Sequence, residues 1–125
     1  IKWLEKAAAD EAAPDIAAIA RFTLGDFYYH GNGVVKNYEK GMYWFKKSAM
    51  LGSNNAINKF FNYANEKHSE AMFMMGYIFQ NGLGVPKDYA EAKTWLDFAI
   101  ENNFEEAKTY YKEAQKLWPK ELKSN

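Results

Sequence analysis

The chain has 125 residues, 48% hydrophobic and 18% aromatic, which is enough to build a packed core and excludes a disordered chain. Its 16 basic and 16 acidic side chains leave a formal charge of zero, and Arg21 is the single Arg, so neither the counterion release nor the forked phosphate contacts of a nucleic-acid binder are provided for. There is no Cys, which excludes disulfides, thiolate metal sites and Cys nucleophiles.

The first element is a helix over residues 3–10, with Trp3, Leu4, Ala7 and Ala8 on one face. Pro14 suits a loop or the first turn of the next helix. That second helix is predicted over 15–30, with Ala17, Ala20, Leu24, Phe27 and Tyr28 facing inward and Gly31-Asn32-Gly33 ending it. Asn37 suits the N-cap of a third helix over 38–51. Its stripe is Tyr38, Gly41, Phe45 and Ser48, with Trp44 alongside, and Gly52 closes it. A short stripe of Ile57, Phe60, Phe61 and Ala64 within 55–68 predicts a lone helix that could serve as either the first or the second member of a pair. Residues 71–82 and 89–99 then repeat the earlier pair. Asp88 takes the capping place, with Glu91 set to complete a capping box, and the inner stripe is Tyr89, Ala92, Leu96 and Ala99. A last helix over 104–118 carries apolar residues at 104, 107, 111, 114 and 118 before Pro119, and residues 120–125 read as a polar tail. No segment reads as strand.

The second pair is the first one again, displaced by 51 residues. Ala20, Leu24, Gly25, Tyr28, Gly31, Gly33, Val34, Tyr38 and Trp44 are answered by Ala71, Met75, Gly76, Phe79, Gly82, Gly84, Val85, Tyr89 and Trp95. A fixed offset of this kind is the mark of stacked repeats, an architecture that binds other molecules far more often than it catalyses. Gly25 and Gly76 fall inside helices, where Gly costs about 1 kcal/mol relative to Ala, and a close neighbouring helix accounts for them. The turn glycines do not form a phosphate loop, because no Lys-Ser/Thr follows.

This pattern, Ala-x-x-x-Leu-Gly-x-x-Tyr-x-x-Gly-x-Gly-Val followed by Asp-Tyr and Trp, resembles the Sel-one-like repeat family, a relative of the tetratricopeptide repeats. Asn37 stands where that family usually has an acidic residue, and Gly41 where it usually has Ala. The resemblance implies an all-α, α/α helical-repeat solenoid, a right-handed superhelix of antiparallel helix pairs with six to seven helices. The expected organisation is one domain over 1–125: the end of an earlier repeat at 1–14, a repeat at 15–52, a degenerate or truncated helix at 53–68, a repeat at 69–103, a closing helix at 104–119 and the tail at 120–125. The chain opens at Ile1 without Met inside what resembles a repeat, so it is expected to be a piece of a longer protein.

Chemistry-bearing constellations are sparse. His30 and His68 are the only histidines, and neither has a second His or carboxylate at metal-ligand spacing, so no metal or cofactor is expected. No Gly-x-Ser-x-Gly, Ser-x-x-Lys or His-Glu-x-x-His occurs. The longest apolar run, 72–79, is too short to span a bilayer, and no signal peptide is visible; the compartment stays open. In related repeats the first helix of each pair lines a concave surface that holds extended peptides or helices. That resemblance places Phe22, Asp26 and Tyr29 of one copy and Phe73, Tyr77 and Gln80 of the other on the lining. The function expected is a non-catalytic scaffold or adaptor for a protein or peptide partner, without nucleic acid, membrane insertion or metal. An inhibitor or immunity-type protein neutralising a secreted toxin is one alternative, and a hydrolase of peptidoglycan or a β-lactam is another. The Lys- and Asn-rich usage fits an AT-rich, bacterial-style genome.

Overall fold

A fully buried phenyl ring, Phe45, explains why a glycine sits inside the helix opposite it. In the computed structural model, which describes residues 1–123, a Cβ on Gly25 would lie 2.5 Å from Phe45 Cδ1 and 3.1 Å from the Gly41 carbonyl oxygen. The hydrogen side chain is what lets the two helices close. Seven α-helices are present among the described residues: α1 (Lys2–Ala8), α2 (Pro14–His30), α3 (Tyr38–Ala49), α4 (Asn54–Asn65), α5 (Ser69–Asn81), α6 (Tyr89–Glu101) and α7 (Glu105–Ala114). One-turn 3-10 helices follow at Gln115–Leu117 and Lys120–Leu122. No strand occurs among the described residues. The chain divides into two compact units, the first Ile1–Ile57 and the second from Asn58 onward, with α4 running across the division.

In the first unit α2 and α3 form an antiparallel hairpin, since Gly25 meets Phe45 while Tyr29, four residues on, meets Gly41, four residues back. Gly31 adopts φ +73°, ends α2 in the left-handed conformation and returns its N–H to the Phe27 carbonyl. The loop then closes on the hairpin: the N–H of Asn37 donates to the Tyr28 carbonyl at 2.7 Å, and the Asn37 side chain accepts from the Lys40 N–H at 3.1 Å. α1 lies against α2, with Ala8, Ala20 and Leu24 in one cluster and Leu4, Ala7, Tyr28 and Trp44 around it. Arg21 ties the helix ends together, donating from Nε to the Ala8 carbonyl and from Nη1 to the Lys47 carbonyl, each at 2.9 Å.

The second unit reproduces the hairpin position for position. A Cβ on Gly76 would meet Leu96 Cδ2 at 2.7 Å and the Ala92 carbonyl at 3.3 Å. Gly82 ends α5 with φ +66°, Asp88 N–H donates to the Phe79 carbonyl at 3.0 Å, and Asp88 Oδ1 accepts from the Glu91 N–H at 3.1 Å. Here the expected capping box is half made. The Asp88 N–H that the Glu91 carboxylate would take is already spent on α5.

α4 shares features of both members of a pair. It ends as α3 and α6 do: Gly52, Lys67 and Asn103 all have positive φ, and the next residue donates back into the helix (Ser53 to Ser48, His68 to Tyr63, Phe104 to Ala99). It begins as a first helix does, because the turn before it is the same turn that precedes α5 and α7. This common turn sets the buried alanines Ala56, Ala71 and Ala107 in one register, to which Ala20 belongs by the repeat spacing. In that register Phe61 stands where Gly25 and Gly76 stand.

Several expected inner residues turn outward. Trp3 is 72% exposed because α1 packs through Leu4, Ala7 and Ala8, and Trp3 is turned off that line. Tyr38 is 54% exposed; it opens α3 beyond the end of α2 and rests edge-on against Tyr29. Phe61 is 46% exposed and meets the edge of Trp95. Phe27 is only half-buried. The last helix stops at Ala114 rather than continuing to Trp118, and part of the expected polar tail is ordered, with Leu122 packed beside Leu96, Ala114 and Trp118. Residues 124 and 125 of that tail lie outside the described residues.

Two stability outcomes follow from this geometry. A Cβ on Gly41 would stand 2.8 Å from Tyr29 Cβ and 2.9 Å from its backbone. Gly41→Ala is therefore expected to lower stability by about 1–2 kcal/mol in denaturant unfolding, overpacking outweighing the helix propensity gained. Lys67 holds φ +66° without being Gly, a conformation costing roughly 1–2 kcal/mol for an L side chain. Lys67→Gly is expected to raise stability by about 1 kcal/mol in the same measurement.

Candidate functional site

Continuing the first-helix register across the chain gives four sets of outward positions. They are Phe22, Asp26 and Tyr29 on α2; Asn58, Asn62 and Asn65 on α4; Phe73, Tyr77 and Gln80 on α5; and Thr109, Glu113 and Lys116 on α7 and just beyond it. The structure treats the corresponding members of these sets differently, and the reason is what lies above each helix.

In the first unit the α2 set is half-buried. Phe22 tilts against Phe45 with ring centroids 5.5 Å apart. Tyr29 stands edge-on to Tyr38 at 5.0 Å and also touches His30 and Phe45. Asp26 Oδ1 lies 3.7 Å from His30 Nε2, one helical turn along. The two phenyl and phenol rings are thus braced by α3, and the carboxylate sits between them on the same helix face.

In the second unit α7 covers much of the α5 set. Phe73 packs against Phe104 at 5.3 Å and edge-on to Tyr110 at 5.4 Å, and Tyr77 tilts against Tyr110 at 5.6 Å. Asn81 Nδ2 donates to the Tyr110 hydroxyl at 3.1 Å. Burial raises the Tyr110 phenol pKa above its ordinary value, while the Asn81 hydrogen bond pulls the other way, so the ring stays a neutral, held surface at physiological pH. Gln80 does not reach the surface. It is 4% exposed and fully used: its amide nitrogen donates to the Ala114 carbonyl at 3.1 Å, and its oxygen accepts from Trp118 Nε1 at 2.7 Å. Gln80 is a latch for the closing segment and leaves the lining. Its counterpart Tyr29 is half-buried and packs on Tyr38 and Phe45 of α3.

The outer side of α7 and the exposed edge of α5 frame a groove of about 410 Å³ lined by Phe73, Glu106, Thr109, Tyr110 and Glu113. Thr109 and Glu113 are the register counterparts of Phe73 and Tyr77. The sequence reading did not include them, although Ala107, in register with Ala20 and Ala71, sets them on the corresponding face. Tyr110 and Trp118 had no such signal, because their roles depend on how α7 lies on α5.

No group of three or more His, Asp or Glu side chains close enough to hold a metal ion occurs among the described residues. His68 precedes α5 without a side-chain cap bond and rests near Tyr63, and Glu105 pairs with Lys108 on the surface of α7. No helix among the described residues is long and apolar enough to cross a membrane.

Matched helical hairpins with a shared glycine-mediated closure define an all-α helical-repeat protein. Comparison with known proteins gives the particular kind: the family model described as Sel1 repeat matches residues 1–10, 18–53 and 69–104, and the chain belongs to the Sel1 repeat family of helical-repeat solenoids. The span 54–68, which holds α4, falls between the matched repeats. Protein sel-1 homolog 2 of Homo sapiens is 31% identical over 86 residues, 69% of this chain and 10% of that protein. The ERAD-associated E3 ubiquitin-protein ligase component HRD3 of Candida glabrata is 28% identical over 105 residues, 84% of this chain and 10% of its own length. The component HRD3A of Arabidopsis thaliana is 28% identical over 84 residues, 67% of this chain. The chain spans about a tenth of the length of these relatives.

The latch makes a prediction. Gln80→Ala leaves the buried Trp118 indole N–H without its partner, which costs about 1–3 kcal/mol. Hydrogen exchange is expected to speed up in α7 and the 3-10 turn after it while α2 and α3 keep their protection; unchanged exchange at α7 would refute the latch.

Proposed function

We propose that the chain is a non-catalytic scaffold that holds a protein or peptide partner on the outward faces of its first helices. The observation that carries this reading is the division of labour between positions. The shared positions inside the first helices are consumed by packing: Ala20 and Ala71, Leu24 and Met75, Gly25 and Gly76 are all buried. Of the outward positions, Phe22 and Phe73 are alike, but Asp26 is answered by Tyr77 and Tyr29 by Gln80, a change of charge and polarity that suits a surface tuned to a partner over a constant frame. The proposed contacts are Phe22, Asp26 and Tyr29 in the first unit and Phe73 and Tyr77, joined by Thr109 and Glu113, in the second. Braced Tyr and Phe rings supply large contact area at little entropic cost. Relatives named as components of a ubiquitin-ligase assembly support the same reading, since a component of an assembly must hold its neighbours.

The test is a peptide-display selection on the purified chain. A convergent peptide motif is expected, with affinity falling at least about tenfold in the Tyr29→Ala, Tyr77→Ala double variant while helical circular dichroism is retained. No convergent motif, or turnover of peptidoglycan or a β-lactam that is lost on replacing one polar residue of these faces, would overturn the proposal.

A further inference from the structure

The groove between α5 and α7 joins an aromatic wall to an acidic rim. Phe73 and Tyr110 form the wall, Tyr110 held at its hydroxyl by Asn81 and at its ring by Phe73 and Tyr77. Glu106 and Glu113 lie two turns apart on the same face of α7, with Thr109 between them. No Lys or Arg lines the groove. The lysines of α7 are turned aside: Lys108 pairs with Glu105 outside the groove, and Lys112 lies off this face. Glu106 makes no ion pair among the described residues. Glu113 is held by Lys116 at 3.1 Å in a pair whose side chains are both more than two-thirds exposed, so solvent screens it and an incoming cation can displace it.

The rest of the molecule shows what such a ring takes up. Lys36, Lys40, Lys47 and Lys87 lie over Tyr38, Tyr28, Tyr43 and Tyr89, with the ammonium 4.9–6.0 Å from the ring centroid. Tyr110 has no such cation among the described residues, although two carboxylates stand beside it. A ring quadrupole backed by carboxylates in an open groove favours a cation over a neutral side chain.

We propose that this groove takes a Lys or Arg side chain from an extended segment of the partner, the cation lying against Tyr110 with its charge met by Glu106 and Glu113. The proposal rests on the scaffold reading above and names the chemistry of the partner at the second unit. An acidic or purely apolar segment is excluded as the occupant, because it would leave both carboxylates facing like charge or stripped of water.

The test uses fluorescein-labelled peptides of Leu, Ser and Gly that differ only in a central Lys, Arg, Gln or Glu, titrated by anisotropy against the full chain. The Lys and Arg peptides are expected to bind, the Gln peptide about tenfold more weakly and the Glu peptide not at all, with affinity falling as salt rises. Glu106→Gln with Glu113→Gln is expected to weaken the Lys peptide about tenfold, and Lys116→Gln to strengthen it about twofold. Glu105→Gln, on the same helix but outside the groove, should leave it unchanged. Equal binding of the Lys and Gln peptides, or no effect of the double variant, would overturn the cation proposal and leave the scaffold standing if the display selection succeeds. A failed selection would sink the scaffold reading itself.

Discussion

Everything in each unit depends on one steric fact, the close approach of two helices over a missing side chain. At Gly25 the room a methyl would need is filled by the ring of Phe45, and at Gly76 by the branched end of Leu96. The helix accepts a propensity cost of about 1 kcal/mol at each glycine and in return buries a large apolar side chain completely. That burial fixes the spacing of the hairpin. The spacing in turn lets the loop N–H of Asn37 or Asp88 reach the carbonyl of Tyr28 or Phe79. The contact also fixes orientation, because it sets which residues of the first helix point away from the second.

The two hairpins use this contact with different tolerances. Gly41 sits against the backbone of Tyr29, whereas its counterpart Ala92 carries a methyl and is still fully buried. The first hairpin is therefore closed against backbone at its loop end, near Tyr29. The second is relaxed there by the methyl and is bound instead through Gln80, Trp118 and the segment that follows α7. Local packing, then, decides whether the third position of the set is a half-buried ring, as Tyr29 is, or an internal amide, as Gln80 is.

Much of the fold was legible because the repeat is written in residues with single structural meanings. Gly31 and Gly82 mark left-handed helix ends, Asn37 and Asp88 mark helix starts, and Gly25 and Gly76 mark a close neighbour. The failures share a cause too. Periodicity locates the buried face of a helix to within about one residue, and this misplaced Trp3 and Tyr38. It does not say which neighbour will cover a face, which is why Gln80 was read as lining although the closing segment encloses it. Phe61 looked like core because it adjoins Phe60 in a stripe, yet only Phe60 is enclosed. The lining positions on α7 were within reach of the register, but Tyr110 was not, since its role is created by Asn81, Phe73 and Tyr77 together.

The identical closures after α3 and α4 carry a consequence for how such a chain can change length. Gly52 and Lys67 adopt the same backbone turn, and the stretch 53–67 lies between the end of one turn and the end of the next. Deleting that stretch would splice one turn onto its twin, so the exit from α3 would lead straight into α5 with no new backbone conformation needed. The distance from Ala20 to Ala71 would then equal that from Ala71 to Ala107. The lone helix is thus flanked by interchangeable backbone joints, and the chain length between the two hairpins can change by one helix without a new kind of turn.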